Sequence, residues 1–261
     1  MSKKVIWITG ASSGIGEACA KKYNQEGWKV ILSARNEQEL QRAKSECPNS
    51  QDTEILSLDL SKTEEIPAKT SEAINLFGHI DTVLHSGGIS QRSLIKDTSL
   101  EVDRRLMEVN FFGTVALSKA ILPHFMQRKS GAFGVVSSLV GKFGTPFRSS
   151  YAASKHALHG FFDTLRAELH KDNIQVTMIC PGFIKTNVSI NALTEDGSPL
   201  NQMDDAQANG MSPKDCADKI YSAMRKKKRE VNIGGKEVFG VYAKRLFPGI
   251  FAKLIQTAKV R

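Results

Sequence analysis

Val5-Ile6-Trp7-Ile8-Thr9-Gly10-Ala11-Ser12-Ser13-Gly14-Ile15-Gly16 opens the chain and decides its fold class. Four apolar residues in succession read as a buried strand, which three glycines then hand over to a helical stretch over 14–26. Gly10 permits a tight turn, Gly14 lets backbone amides approach a pyrophosphate, and Gly16 lets helix and strand pack closely. The helix N-terminus adds partial positive charge, so Gly10, Ser12, Ser13, Gly14, Ile15 and Gly16 form a candidate phosphate cradle. The spacing Gly-x-x-x-Gly-x-Gly differs from the Gly-x-Gly-x-x-Gly dinucleotide fingerprint, and a purely structural glycine loop remains the alternative at this point.

Outward from this turn, apolar runs alternate with amphipathic stretches of helical length. Strands are expected at Val5–Thr9, Val30–Ser33, Ile55–Leu58, Thr82–His85, Phe133–Ser137, Val176–Ile179 and, weakly, Glu230–Ile233. Helices are expected over 14–26, 37–46, 62–77, 99–128, 150–171 and 213–227, with Gly27 capping the first and Ser212-Pro213 opening the last. Seven strands separated by helices predict an α/β chain: a single doubly wound Rossmann domain over 1–261, its parallel sheet covered on both faces. Residues 187–212 lack a clear period and are expected to form a substrate loop or lid.

Composition agrees with a folded, soluble protein: 41% apolar and 24% charged residues among 261. No run approaches the length of a membrane span, and nothing before Val5 reads as a secretory core. Cys19, Cys47, Cys180 and Cys216 lie far apart without a Cys-x-x-Cys pair, so neither a disulfide framework nor a metal site is expected, and a cytoplasmic setting fits. The net charge of +9 resides entirely in residues 225–261, where eleven Lys or Arg face two Glu. A global nucleic-acid surface is therefore not expected.

After the second strand, Ser33-Ala34-Arg35-Asn36 lacks the carboxylate that would accept from a ribose 2′-hydroxyl, and Arg35 stands there instead. Its forked cation suits a 2′-phosphate, which favours NADP(H) over NAD(H). Tyr151 and Lys155 lie four apart in a predicted helix, on one face, with Ser138 thirteen residues upstream. An ammonium beside a phenol favours the phenolate and is expected to draw its titration toward working pH.

These motifs together resemble the short-chain dehydrogenase/reductase family over residues 5 to about 186, and Ser86 to Leu94 is similar to its member-seven branch. The resemblance implies a catalytic set of Asn110, Ser138, Tyr151 and Lys155, with Asn110 also supporting a water chain toward Lys155. It implies an adenine contact at Asp59-Leu60, and cofactor contacts at Ser86, Gly87, Gly88, Asn110, Tyr151, Lys155, Pro181, Gly182, Ile184 and Thr186. His85-Ser86-Gly87-Gly88 departs from the family's Asn-Asn-Ala-Gly, and His85 is expected to make a fixed hydrogen bond. Anchored members of the branch carry an extra apolar N-terminal segment, and the expectation here is a protein without one.

The expected activity is NADP(H)-dependent hydride transfer between the nicotinamide and a carbonyl or secondary alcohol, with Tyr151 as general acid/base. A non-catalytic dinucleotide-binding redox sensor or scaffold is the alternative. Specificity is expected from Gln91–Asp97, Leu139–Phe147 and Asn187–Gly210, where Ile190, Leu193, Leu200 and Met203 suggest a moderately apolar ligand. The basic segment 225–261 interleaves apolar and cationic residues, which raises weak peripheral contact with anionic lipid, although Pro248-Gly249 interrupts it. The family commonly pairs the helices matching 99–128 and 150–171 into dimers or tetramers, and Phe111, Phe112, Phe161 and Phe162 fit either that interface or the core.

Overall fold

Seven parallel strands carry the chain, which the computed structural model describes over residues 2–258. They are β1 (Val5–Thr9), β2 (Lys29–Ser33), β3 (Thr53–Ile55), β4 (Thr82–His85), β5 (Gly131–Val136), β6 (Ile174–Pro181) and β7 (Glu230–Ile233), in the order β3-β2-β1-β4-β5-β6-β7. Between and after them run α1 (Gly14–Gln25), α2 (Glu37–Ser45), α3 (Ile66–Phe77), α4 (Leu100–Met107), α5 (Gly113–Arg128), α6 (Ser149–Glu168), α7 (Asp205–Ala208), α8 (Pro213–Arg225), α9 (Phe239–Leu246) and α10 (Pro248–Gln256).

Strand alternation sorts the core into two layers. Val5 and Trp7 enter one with Phe125, Phe133 and Phe162, while Ile6 and Ile8 enter the other with Cys19, Leu40 and Ile220. Both faces of β1 are thus apolar, which is why its sequence shows a continuous run. Burying Ile6, Trp7 and Ile8 completely contributes roughly 1.5–3 kcal/mol each. Because β1 pairs with β2 on one side and β4 on the other, successive crossovers leave in opposite directions beyond its C-terminal end. A crevice opens there, at the reversal of strand order.

The expected elements shift in places for identifiable reasons. Strand β3 begins earlier than 55–58, yet the Leu56 and Leu58 amides still donate to Leu32 and Ala34 carbonyls at 2.9 and 3.0 Å. Helix α3 starts at Ile66 rather than 62, since Asp59 takes the Ser61 amide and hydroxyl into a turn first. The long helix over 99–128 is two helices joined by a π turn at Glu108–Phe112. Gly27, at φ 82, follows α1 in the left-handed region, and the Ser212 hydroxyl accepts from the Asp215 amide at the start of α8.

Of Phe111, Phe112, Phe161 and Phe162, Phe162 is fully buried, Phe111 and Phe161 are half-buried with rings 6.4 Å apart, and Phe112 is exposed. Pro248 begins α10 instead of merely ending a helix. The hairpin of α9 and α10 docks through Phe251 onto Leu139, Phe143 and Cys180. The last three residues of the basic segment lie outside those described.

Candidate active site

The glycine turn is built too tightly for side chains. A Cβ on Gly10 would stand 2.7 Å from Gly87 Cα, and one on Gly16 would stand 2.2 Å from the Gly10 carbonyl oxygen. Gly10 also holds φ 66, a left-handed conformation that glycine adopts without strain. The Thr9 hydroxyl accepts from the Ser86 and Gly87 amides at 3.2 and 3.1 Å, so the ends of β1 and β4 are tied together. The turn, with Ser12, Ser13 and Ile15, lines a cleft of about 1130 Å³.

That one cleft gathers nearly every residue singled out in the sequence. Arg35, Asp59 and Leu60 line it beside the turn, Ser86, Gly87 and Gly88 beneath it, and Ser138, Tyr151 and Lys155 deeper in; Pro181, Gly182, Ile184 and Thr186 form the opposite wall. Arg35 is exposed at the rim. Burial acting alone would raise the Asp59 carboxyl, but the Ser61 amide and hydroxyl, with the Arg35 charge, hold it below its usual range. Asn110 does not line the cleft: it is fully buried behind it in the π turn. There it accepts from the Ile89 amide at 2.8 Å and donates to the Ile89 carbonyl at 2.9 Å and the Ser154 hydroxyl at 3.0 Å. A π turn is a frequent feature of functional sites, and here it lets one amide side chain clamp the segment that follows β4.

Ser138 follows β5, half-buried, and its hydroxyl donates to the Pro181 carbonyl at 3.3 Å. Helix α6 presents Tyr151 and Lys155 one turn apart toward the cleft, as their spacing of four requires. Lys155 is almost wholly buried, donates to the Val136 carbonyl at 2.8 Å, and sits 5.8 Å from the centre of the Tyr151 ring. Burial pushes its ammonium down to about 8.

The tuning of Tyr151 departs from the expectation. Burial dominates and holds the phenol above its ordinary value, while the facing Ser138 hydroxyl and the charges of Arg92 and Arg148 pull it down. Lys155 turns its ammonium to the Val136 carbonyl, and burial is the largest influence on the phenol.

Those two arginines belong to a cluster that sequence reading missed. Arg92, Arg148 and Asp204 are each at least nine-tenths buried. Asp204 Oδ2 accepts from Arg92 Nε at 2.8 Å and lies 2.7 Å from Arg92 Nη2 and 3.3 Å from Arg148 Nη2. Arg92 also donates to the Ser90 hydroxyl and the Gln91 carbonyl, both at 2.7 Å. Burial, together with Arg92, pushes Arg148 down to about 10. Gln91, fully buried, binds the Ser93, Thr98 and Ser149 hydroxyls through Nε2 and accepts the Ser150 amide at 3.0 Å. The segment after β4 is thereby fixed to the start of α6, one residue before Tyr151. Partners 112 and 56 residues apart leave no local signature.

Residues 187–212 are more ordered than their lack of period suggests. The Arg92 amide donates to the Leu193 carbonyl and the Leu193 amide to the Ser90 carbonyl, each at 2.8 Å, and α7 ends the segment. Of Ile190, Leu193, Leu200 and Met203, only Leu193 lines the cleft, because Leu200 and Asn201 bond back to Ala192 and Ile190. His85 is a buried hydrogen-bonding residue: Nε2 lies 2.9 Å from the Ser118 hydroxyl and the ring stacks on Phe133. Burial, then the Lys155 charge, pushes it down to about 3, so it is neutral at physiological pH.

Comparison with known proteins adds kinship to this geometry. A sequence model of the short chain dehydrogenase family matches residues 4–197. Dehydrogenase/reductase SDR family member 7B of Bos taurus is 42% identical over 259 residues, covering 96% of this chain and 80% of its own length. A short chain dehydrogenase/reductase from Burkholderia phymatum, solved in complex with NAD, superposes with TM-score 0.84 at 20% identity, covering 100% of this chain and 98% of its own. ElxO with NADP bound superposes with TM-score 0.74 at 22% identity, covering 89% and 97%.

Proposed function

The chain belongs to the short-chain dehydrogenase family, and from that membership we propose that it is an NADP(H)-dependent reductase of a carbonyl substrate with Tyr151 as proton donor. As a member of this family it is an oxidoreductase that binds a nicotinamide dinucleotide. The observation that carries the proposal is the convergence of Ser138 and Tyr151 in the cleft that the glycine turn opens.

The residues present suit a dinucleotide. A turn with no room for a Cβ at Gly10 or Gly16 leaves backbone amides for a pyrophosphate at the start of α1. Arg35 at the rim, without a carboxylate in Ser33–Asn36, supports a 2′-phosphate. Lys155 would hold the ribose hydroxyls and Thr186 the carboxamide. When bound, the dinucleotide supplies or accepts the hydride.

The chain's own residues handle the proton. Ser138 donates a hydrogen bond to the substrate carbonyl oxygen and sets it against the phenol. A Tyr151 hydroxyl held above its usual pKa stays protonated at neutral pH, ready to protonate the oxygen as negative charge develops there. In alcohol oxidation the same group must first lose its proton, and the Arg92 and Arg148 charges favour that form. The scaffold alternative predicts dinucleotide binding without turnover. A screen of carbonyls and alcohols that follows NADPH and NADH consumption separates the two: turnover with NADPH supports the proposal, and tight binding with no turnover across the panel rejects it.

A further inference from the structure

The tail hairpin carries half of the exposed large apolar side chains among the described residues: Phe239, Tyr242, Leu246, Phe247, Ile250 and Leu254. Phe239, Tyr242 and Leu246 recur at the spacing of one helix face in α9, and Ile250 and Leu254 do so in α10. The neighbouring side of α10, about 100° round the helix, is committed, since Phe251 packs into the core and, with Ile255, lines the cleft. The outward row is therefore not a misplaced core face. Exposure of 72% at Phe239 and 61% at Ile250 exceeds what a packed helix needs.

Charge selects the partner. From residue 238 onward the sequence holds five Lys or Arg and no Asp or Glu, and Lys244, Arg245 and Lys253 are exposed beside the apolar row. The run Arg225–Arg229 adds five more cations just before β7. A polypeptide partner or a second copy of this chain would bring its own mixture of signs, whereas a surface of uniform negative charge and apolar depth complements all of these groups together.

We propose that the α9–α10 hairpin is a docking face for an anionic phospholipid bilayer, seated through Phe239, Tyr242, Leu246, Phe247, Ile250 and Leu254 with its cations at the headgroups. Among the described residues no helix is long and apolar enough to cross a membrane, so the contact is interfacial. An apolar substrate dissolved in the bilayer would reach the cleft past Phe251 and Ile255.

Sedimentation of the full chain with vesicles tests this independently of any activity. Binding is expected with phosphatidylcholine vesicles containing phosphatidylserine, weaker binding with phosphatidylcholine alone, and release as salt is raised. Replacing Leu246→Ser, Ile250→Ser and Leu254→Ser together should weaken that binding by more than about tenfold, and Lys244→Gln with Lys253→Gln should reduce the lipid-charge preference. Both variants change exposed side chains, and an unaltered melting temperature confirms intact folding. Absence of binding to anionic vesicles, equal binding by the triple variant, or a dimer that the triple substitution converts to monomer would each overturn the proposal. The last result would assign the face to a second copy.

Discussion

Replacing Asp204→Asn removes a buried carboxylate that Arg92 and Arg148 share while keeping the side chain's size. The side chains involved are 3%, 3% and 6% exposed for Asp204, Arg92 and Arg148, so water cannot replace the lost charge. Breaking a buried pair from one side costs about 3–5 kcal/mol. For a domain of this size that corresponds to a fall in melting temperature of roughly 6–10 °C. The same change leaves the two guanidinium charges less compensated beside Tyr151. Around the phenol also stand Lys155 of α6, Ser138 after β5 and, lining the same cleft, Arg105 of α4. More positive field favours phenolate, so the acid limb of the kcat/KM profile for alcohol oxidation moves to lower pH. Arg92→Met moves it to higher pH. Differential scanning calorimetry and a pH series with both variants read the two effects separately. An unchanged melting temperature for Asp204→Asn, or both variants shifting the limb in the same direction, would refute the cluster's role.

Arg35→Ala should raise the KM for NADPH by about tenfold or more and leave that for NADH within about twofold, as expected for one charge-assisted contact to a phosphate; equal losses would remove the 2′-phosphate assignment. Lys155→Met should impair both turnover and dinucleotide affinity by calorimetric titration, and unchanged affinity would exclude the ribose contact. His85, held neutral by burial with its pKa at about 3, binds a proton more readily when unfolded, near 6.5. Its contribution to stability is therefore complete above pH 6.5 and is lost as pH falls toward 3. The urea midpoint should decline through that window, less steeply for His85→Asn, and identical slopes would contradict this account.

Sequence reading reached the sheet and the shared face of Tyr151 and Lys155 because both rest on short-range patterns. Continuous apolar runs marked β1 and β4 to the residue, and the four-residue spacing placed Tyr151 and Lys155 on one face. Even β7, with one buried residue, was legible from Glu230 to Ile233. What escaped depends on distance along the chain. Asp204 meets Arg92 across 112 residues, and Gln91 meets Ser149 across 58, so no window contains both partners. The direction of a side chain was equally hidden: Lys155 shares a face with Tyr151, but its ammonium turns to the Val136 carbonyl, and burial rather than Lys155 governs the phenol.

The most direct measurement compares Tyr151→Phe with the parent chain in NADPH-linked carbonyl turnover and in dinucleotide binding. Loss of the hydroxyl alone should lower kcat by more than about a thousandfold while leaving dinucleotide affinity within about twofold. Turnover retained within about tenfold of the parent would contradict the assignment of Tyr151 as the proton donor.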